Sequence, residues 1–81
     1  MKVIEFRSIE PFFSQERDGI KPFTIRKRDK DKRFRALVQW IENYKWTIRI
    51  TNPATGESFD RLITNVSYLF YADWLIIHFT P

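Results

Sequence analysis

The chain has 81 residues, a formal net charge of +4, no cysteine and one histidine. That length predicts a single domain over residues 1–81, one that buries roughly 60% of its unfolded surface. Without cysteine there is no disulfide, no thiolate nucleophile, and no zinc-finger, zinc-deaminase or iron–sulfur site. No cofactor and no metal is expected. The core must come from rings: eight Phe, three Trp and three Tyr make up 17% of the chain, and aromatic side chains bury the most area per residue.

Val3 to Arg7 is predicted as a first strand. Pro11 to Asp18 reads as a short helix or helical turn that Gly19 can stop. Pro22 to Arg28 alternates, with Phe23 and Ile25 on one face and Thr24, Arg26 and Arg28 on the other, a half-buried strand with a basic outer face. The period then changes. Phe34, Leu37, Val38, Ile41 and Tyr44 follow the spacing of an amphipathic helix, with Trp40 beside the stripe and Asp31 as its N-cap. Lys32, Arg33 and Arg35 crowd its first turn. There the helix dipole opposes them, and free N–H groups would join them around an anion.

Trp46 to Thr51 alternates cleanly as a strand. Asn52-Pro53-Ala54-Thr55-Gly56 is a turn, and Phe59 to Val66 returns as the partner strand of a hairpin. Leu69 to Tyr71 suits either a further strand or a loop. Trp74 to Phe79 is an apolar run of strand length, expected at the sheet centre with both faces covered, and Tyr71 and Trp74 are expected in the core. His78, within this run, is expected to be structural. Arg49 and Arg61 are expected as solvent-facing charges of the hairpin. These elements give an α+β domain with a small curled mixed or antiparallel sheet, or partial barrel, and one or two helices. Asp73 interrupts the longest apolar stretch, well short of the ~20 residues a spanning helix needs. Met1 to Arg7 lacks a signal peptide's apolar centre. No membrane partner and a cytoplasmic location are expected.

The charge is uneven. Arg26 to Arg35 holds seven bases and two acids, leaving seven bases and eight acids elsewhere. A +5 block on a faintly acidic remainder points to an anionic partner, most often nucleic acid, with a solvated loop as the plain alternative. The candidate anion-binding residues are Lys21, Arg26, Arg28, Lys30, Lys32, Arg33 and Arg35. Trp40, Tyr44 and Tyr68 are candidates for stacking on unpaired bases, although core packing is the more natural use of each ring.

Gly19-Ile20-Lys21-Pro22-Phe23-Thr24-Ile25-Arg26 is the sharpest motif. A lysine at the mouth of the strand, a hydroxyl and an arginine can converge there on one small polar or anionic group. The pattern Gly-x-Lys-x-x-Thr-x-Arg resembles the hallmark of the ASCH domain, a branch of the PUA-like fold. Ile48 to Gly56, Ile63-Thr64-Asn65-Val66 and the closing strand Trp74 to Phe79 resemble later parts of that family. The segment Phe34 to Tyr44 departs from it, standing where the family carries a Gly-Asp pair. The resemblance implies recognition of RNA or a nucleobase in a cleft beside the motif. An enzymatic branch, small amidohydrolases acting on acetylcytidine, carries lysine and threonine at the positions of Lys21 and Thr24. Catalysis here would use Thr24 as nucleophile and Lys21 in proton transfer; the branch's downstream glutamate has no matching segment here, and Glu57 is the one acid that could enter from the hairpin. A further alternative is a small phage-type interaction protein that binds a host protein through its basic block.

Overall fold

A computed structural model describes residues 2–27, 32–69 and 71–81. It is an α+β structure of five strands and two short helices: β1 (Val3–Arg7), α1 (Phe12–Arg17), β2 (Phe23–Lys27), α2 (Lys32–Val38), β3 (Thr47–Thr51), β4 (Ser58–Leu69) and β5 (Trp74–Phe79). The strands form one mixed sheet in the order β1-β3-β4-β5-β2. Only β1 and β3 run parallel, with Ile4 opposite Ile48 and Phe6 opposite Ile50. The other neighbours are antiparallel.

The twelve-residue β4 holds the sheet together. Its first half pairs with β3, Phe59 opposite Ile50, and its second half with β5, Val66 opposite Ile77. Between Ile63 and Asn65 the register shifts. One extra residue there reverses the alternation and bends the strand, so Phe59 and Ile63 face inward before it while Val66 and Tyr68 pack inward after it. The sheet curls but does not close. Its inner face carries Ile4, Phe6, Ile48, Ile50, Leu75, Ile77 and Phe79, sealed by Phe13 of α1 and by Phe34 and Leu37 of α2. The Phe13, Phe59 and Phe79 rings form a chain, at centroid distances of 5.3 and 6.4 Å.

Several expectations change here. The helical stripe Phe34 to Tyr44 is only partly helical. After Val38 the chain tightens into turns, with Gln39 and Trp40 amides donating to Ala36 and Leu37 carbonyls. Val38 and Ile41 are β-branched and weak helix formers, and both stand exposed, so no burial favours continuing the helix. Tyr44 instead stacks on Trp46, with ring centroids 5.2 Å apart. Tyr71, expected in the core, is 89% exposed, and Trp74 is 39% exposed. Both lie where the β4–β5 connection leaves the sheet. β5 is an interior strand, but only one of its faces is fully buried. The predicted N-cap Asp31 lies outside the described residues, as do Arg28, Asp29 and Lys30. No helix among the described residues is long and apolar enough to cross a membrane.

The hairpin joining β3 to β4 is built as its composition suggests. Asn52 is buried and its Oδ1 accepts the Ala54 amide at 3.0 Å, while Gly56 closes the turn at φ +77°. Arg49 faces solvent as expected, and there it grips Asp60 across the hairpin through two bonds of 2.7 and 2.9 Å. Arg61 turns inward, its Nη2 donating to the Arg17 carbonyl at 2.8 Å.

Candidate functional site: a basic cleft at the sheet seam

The face of β2 is the reverse of the expected one. Thr24 is 2% exposed and Ile25 46%. Thr24 lies opposite Ile77 and Arg26 opposite Leu75, so threonine and arginine face inward with the core side of β5. Period-2 alternation assigns two faces to a strand, and the apolar one is normally buried. Here the inner face of β2 looks across the unclosed seam toward β1, where polar partners wait. Arg26 Nε donates to Thr24 Oγ1 at 3.1 Å, and its Nη2 donates to Ser8 Oγ at 2.7 Å. A single guanidinium thus ties the two edge strands together. Its plane lies over the Phe6 ring at 4.9 Å, and Arg33 approaches the same ring at 4.6 Å. Arg33 Nη1 also donates to the Glu5 carbonyl at 2.7 Å.

Burial pushes the Arg26 guanidinium below its ordinary pKa, the Glu16 carboxylate opposes that shift, and the Arg33 charge adds to it. Two like charges beside one ring repel, and the Glu16 carboxylate offsets part of that repulsion at Arg26. At this point the surface opens into a cleft of about 860 Å³ lined by Glu5, Phe6, Arg7, Arg26, Lys27, Arg33, Phe34 and Thr51. Among the described residues, Arg7, Arg26, Lys27 and Arg33 share this lining with the Phe6 and Phe34 rings, which meet edge-on at 6.2 Å.

The motif is therefore divided. Thr24 and Arg26 are joined, and Arg26 lines the cleft. Lys21 is occupied elsewhere: its Nζ lies 3.3 Å from Glu16 Oε2 and against the Phe12 and Phe23 rings, at 5.0 and 5.4 Å. Gly19 makes this possible. At φ +77° it turns the chain out of α1, and the Lys21 amide bonds back to the Gln15 carbonyl. Glu16 links the two parts, its Oε2 meeting Lys21 and its charge acting on Arg26. Glu57 does not approach them as a catalytic acid; it pairs with Arg17 at 3.0 Å.

Of the remaining candidates, Arg33 lines the cleft, while Lys32 and Arg35 stand exposed on α2 outside it. α2 is seven residues long, too short to act as an anion site through its dipole. Arg28 and Lys30 lie outside the described residues. Trp40 and Tyr68 pack against the core, and the Tyr68 hydroxyl donates to Asp73. Tyr44 is 40% exposed but committed to Trp46.

Sequence reasoning missed Phe6, Arg7, Ser8 and Glu16. The first three enter because the parallel β1–β3 pair sets β1 at the seam, which no local pattern reveals. Glu16 had a readable signal: it lies three residues after Phe13, on the same helix face, and both are 1% exposed. Glu16 Oε1 has no hydrogen-bond partner among the described residues. No family model and no curated protein matches the chain.

Proposed function

We propose that this protein is a small nucleic-acid-binding module of the ASCH/PUA-like kind, taking RNA or a nucleobase in the seam cleft. The observation that carries this reading is the cleft lining, which among the described residues brings Arg7, Arg26, Lys27 and Arg33 beside the Phe6 and Phe34 rings. Cations of this density attract phosphate without reading sequence. The Arg26 and Arg33 guanidiniums held against the Phe6 ring offer positive charge to an electron-rich ligand. The Gly19-to-Arg26 resemblance supports the same reading, since the motif's arginine lines the cleft.

Fluorescence anisotropy with a labelled single-stranded RNA tests it. Affinity is expected to fall steeply with salt, and Arg7→Gln with Lys27→Gln is expected to flatten the salt slope by about 1–2. Absence of binding to any RNA or DNA at low salt would end this reading.

The geometry favours binding over catalysis. The Thr24 hydroxyl is enclosed and already accepts a hydrogen bond from Arg26. A nucleophile needs access and an adjacent base. Incubation with acetylcytidine, followed by chromatography, is expected to leave the substrate intact. Deacetylation that disappears in Thr24→Ala would reverse this conclusion.

A further inference from the structure

The two outer faces of the sheet differ in kind. Over β1, β3 and β4 the outer face is a charge ladder: Glu5 stands beside Arg49, and Arg49 beside Asp60. Over β4, β5 and β2 it mixes apolar and aromatic residues with a few polar ones. The registers set three rows there: Asn65, His78 and Phe23; Ser67, Ile76 and Ile25; Leu69, Trp74 and Lys27. Ile25 and Trp74 stand 46% and 39% exposed, and Tyr71, in the turn before β5, is 89% exposed. The last row ends on Lys27, which also lines the seam cleft. The aromatic face and the cationic cleft are thus continuous through one residue.

We propose that this outer face of β4–β5–β2 is a stacking platform for unpaired bases of single-stranded RNA, with Trp74 as its central ring and Lys27 holding the phosphate between platform and cleft. This rests on the nucleic-acid reading of the cleft and extends it to the strand that leaves it. Three features select this occupant. A flat ring and a lysine on adjacent strands of one face match a base and its phosphate. A second copy docked symmetrically on this face would bring two cationic clefts together, which is repulsive. A duplex keeps its bases stacked internally and offers no free face for Trp74.

The test uses the full chain, labelled oligouridine and oligoadenosine of about ten nucleotides, and a duplex of matched length. Single strands are expected to quench tryptophan fluorescence. Trp74→Ala is expected to weaken their binding roughly 5- to 100-fold, the range for one lost base–aromatic stack, with the salt slope unchanged. Trp74→Phe is expected to restore most of the affinity, and Ile25→Tyr, which adds a ring, to raise it. Duplex binding is expected to ignore all three substitutions. Should Trp74→Ala unfold the chain, Trp74→Phe and Ile25→Tyr still decide. If Lys27→Gln weakens binding while Ile25→Tyr and the Trp74 variants leave it unchanged, the cleft stands and the platform is overturned. A concentration-dependent dimer that Ile25→Glu abolishes, without any effect on RNA affinity, overturns it in favour of self-association. Failure of the wild-type chain to bind any strand removes both cleft and platform.

Discussion

Arg26 shows how one side chain can decide what a strand face is for. A buried guanidinium is tolerated only where its donors are met and its charge is balanced. Thr24, Ser8 and the Phe6 ring meet it, and the Glu16 carboxylate lends it a favourable field. Thr24 is thus most simply the acceptor that orients Arg26. Thr24→Val keeps the shape and removes that acceptor, leaving a charged donor unpaired. The expected cost is about 1–3 kcal/mol, read as a lower urea midpoint, whereas Thr24→Ser is expected to stay near wild type. Equal midpoints for all three proteins would refute an orienting role.

Elements differ in how openly the residues declared them. Ile48-Arg49-Ile50 and Leu75-Ile76-Ile77 carry a strand period or a strand-length apolar run, and both became strands where expected. The stripe from Phe34 to Tyr44 carries a helical period, yet only its first part is helical, because exposed Val38 and Ile41 gain nothing from continuing. The β2 face was misread because alternation says which residues share a face, not which face meets the core. Glycine turns were readable and are not equivalent. Both glycines sit at φ +77°, but a Cβ on Gly19 would meet Pro81 Cβ at 3.2 Å while one on Gly56 would meet nothing. Left-handed backbone costs an L-residue about 1–2 kcal/mol. Gly56→Ala is expected to cost about that much, and Gly19→Ala more, by denaturant titration of both. The β3–β4 hairpin supplies a pH test. The hydrogen bond from Arg49 holds the Asp60 carboxyl below the usual aspartate value. Its folded pKa is depressed, so the pair stabilises above the unfolded value near 3.8 and loses this as pH falls through the folded one. Wild type is expected to melt above Asp60→Asn at neutral pH, and the gap to close in acid. A gap that persists to pH 2 contradicts the pairing.

At the scale of the whole molecule, the seam is where fold and candidate site become the same thing. The two edge strands of the sheet order are distant along the hydrogen-bond ladder, yet Arg26 spans them. This explains how much of the cleft could be read in advance. Arg26 and Arg33 stood out by composition and motif. Phe6 and Arg7 did not, because their place depends on a parallel pairing with residues more than forty positions away. Arg26→Leu removes the tie and leaves the Ser8 hydroxyl without its donor. Amide hydrogen exchange is expected to quicken in Phe23–Lys27 and Val3–Arg7 while Thr47–Leu62 stays protected. Uniform loss of protection would mean that the seam is not an independent unit.

The position of β2 at the sheet edge also imposes a timetable. Its single ladder partner is β5, and Thr24 lies opposite Ile77. At a synthesis rate of roughly 5–20 residues per second, Thr24 is made about 3–10 s before Ile77. Through that interval the strand that completes the cleft has no ladder to join. The cleft is thus among the last features a growing chain can assemble, and a nascent protein halted before β5 would carry the basic block with no site to organise it.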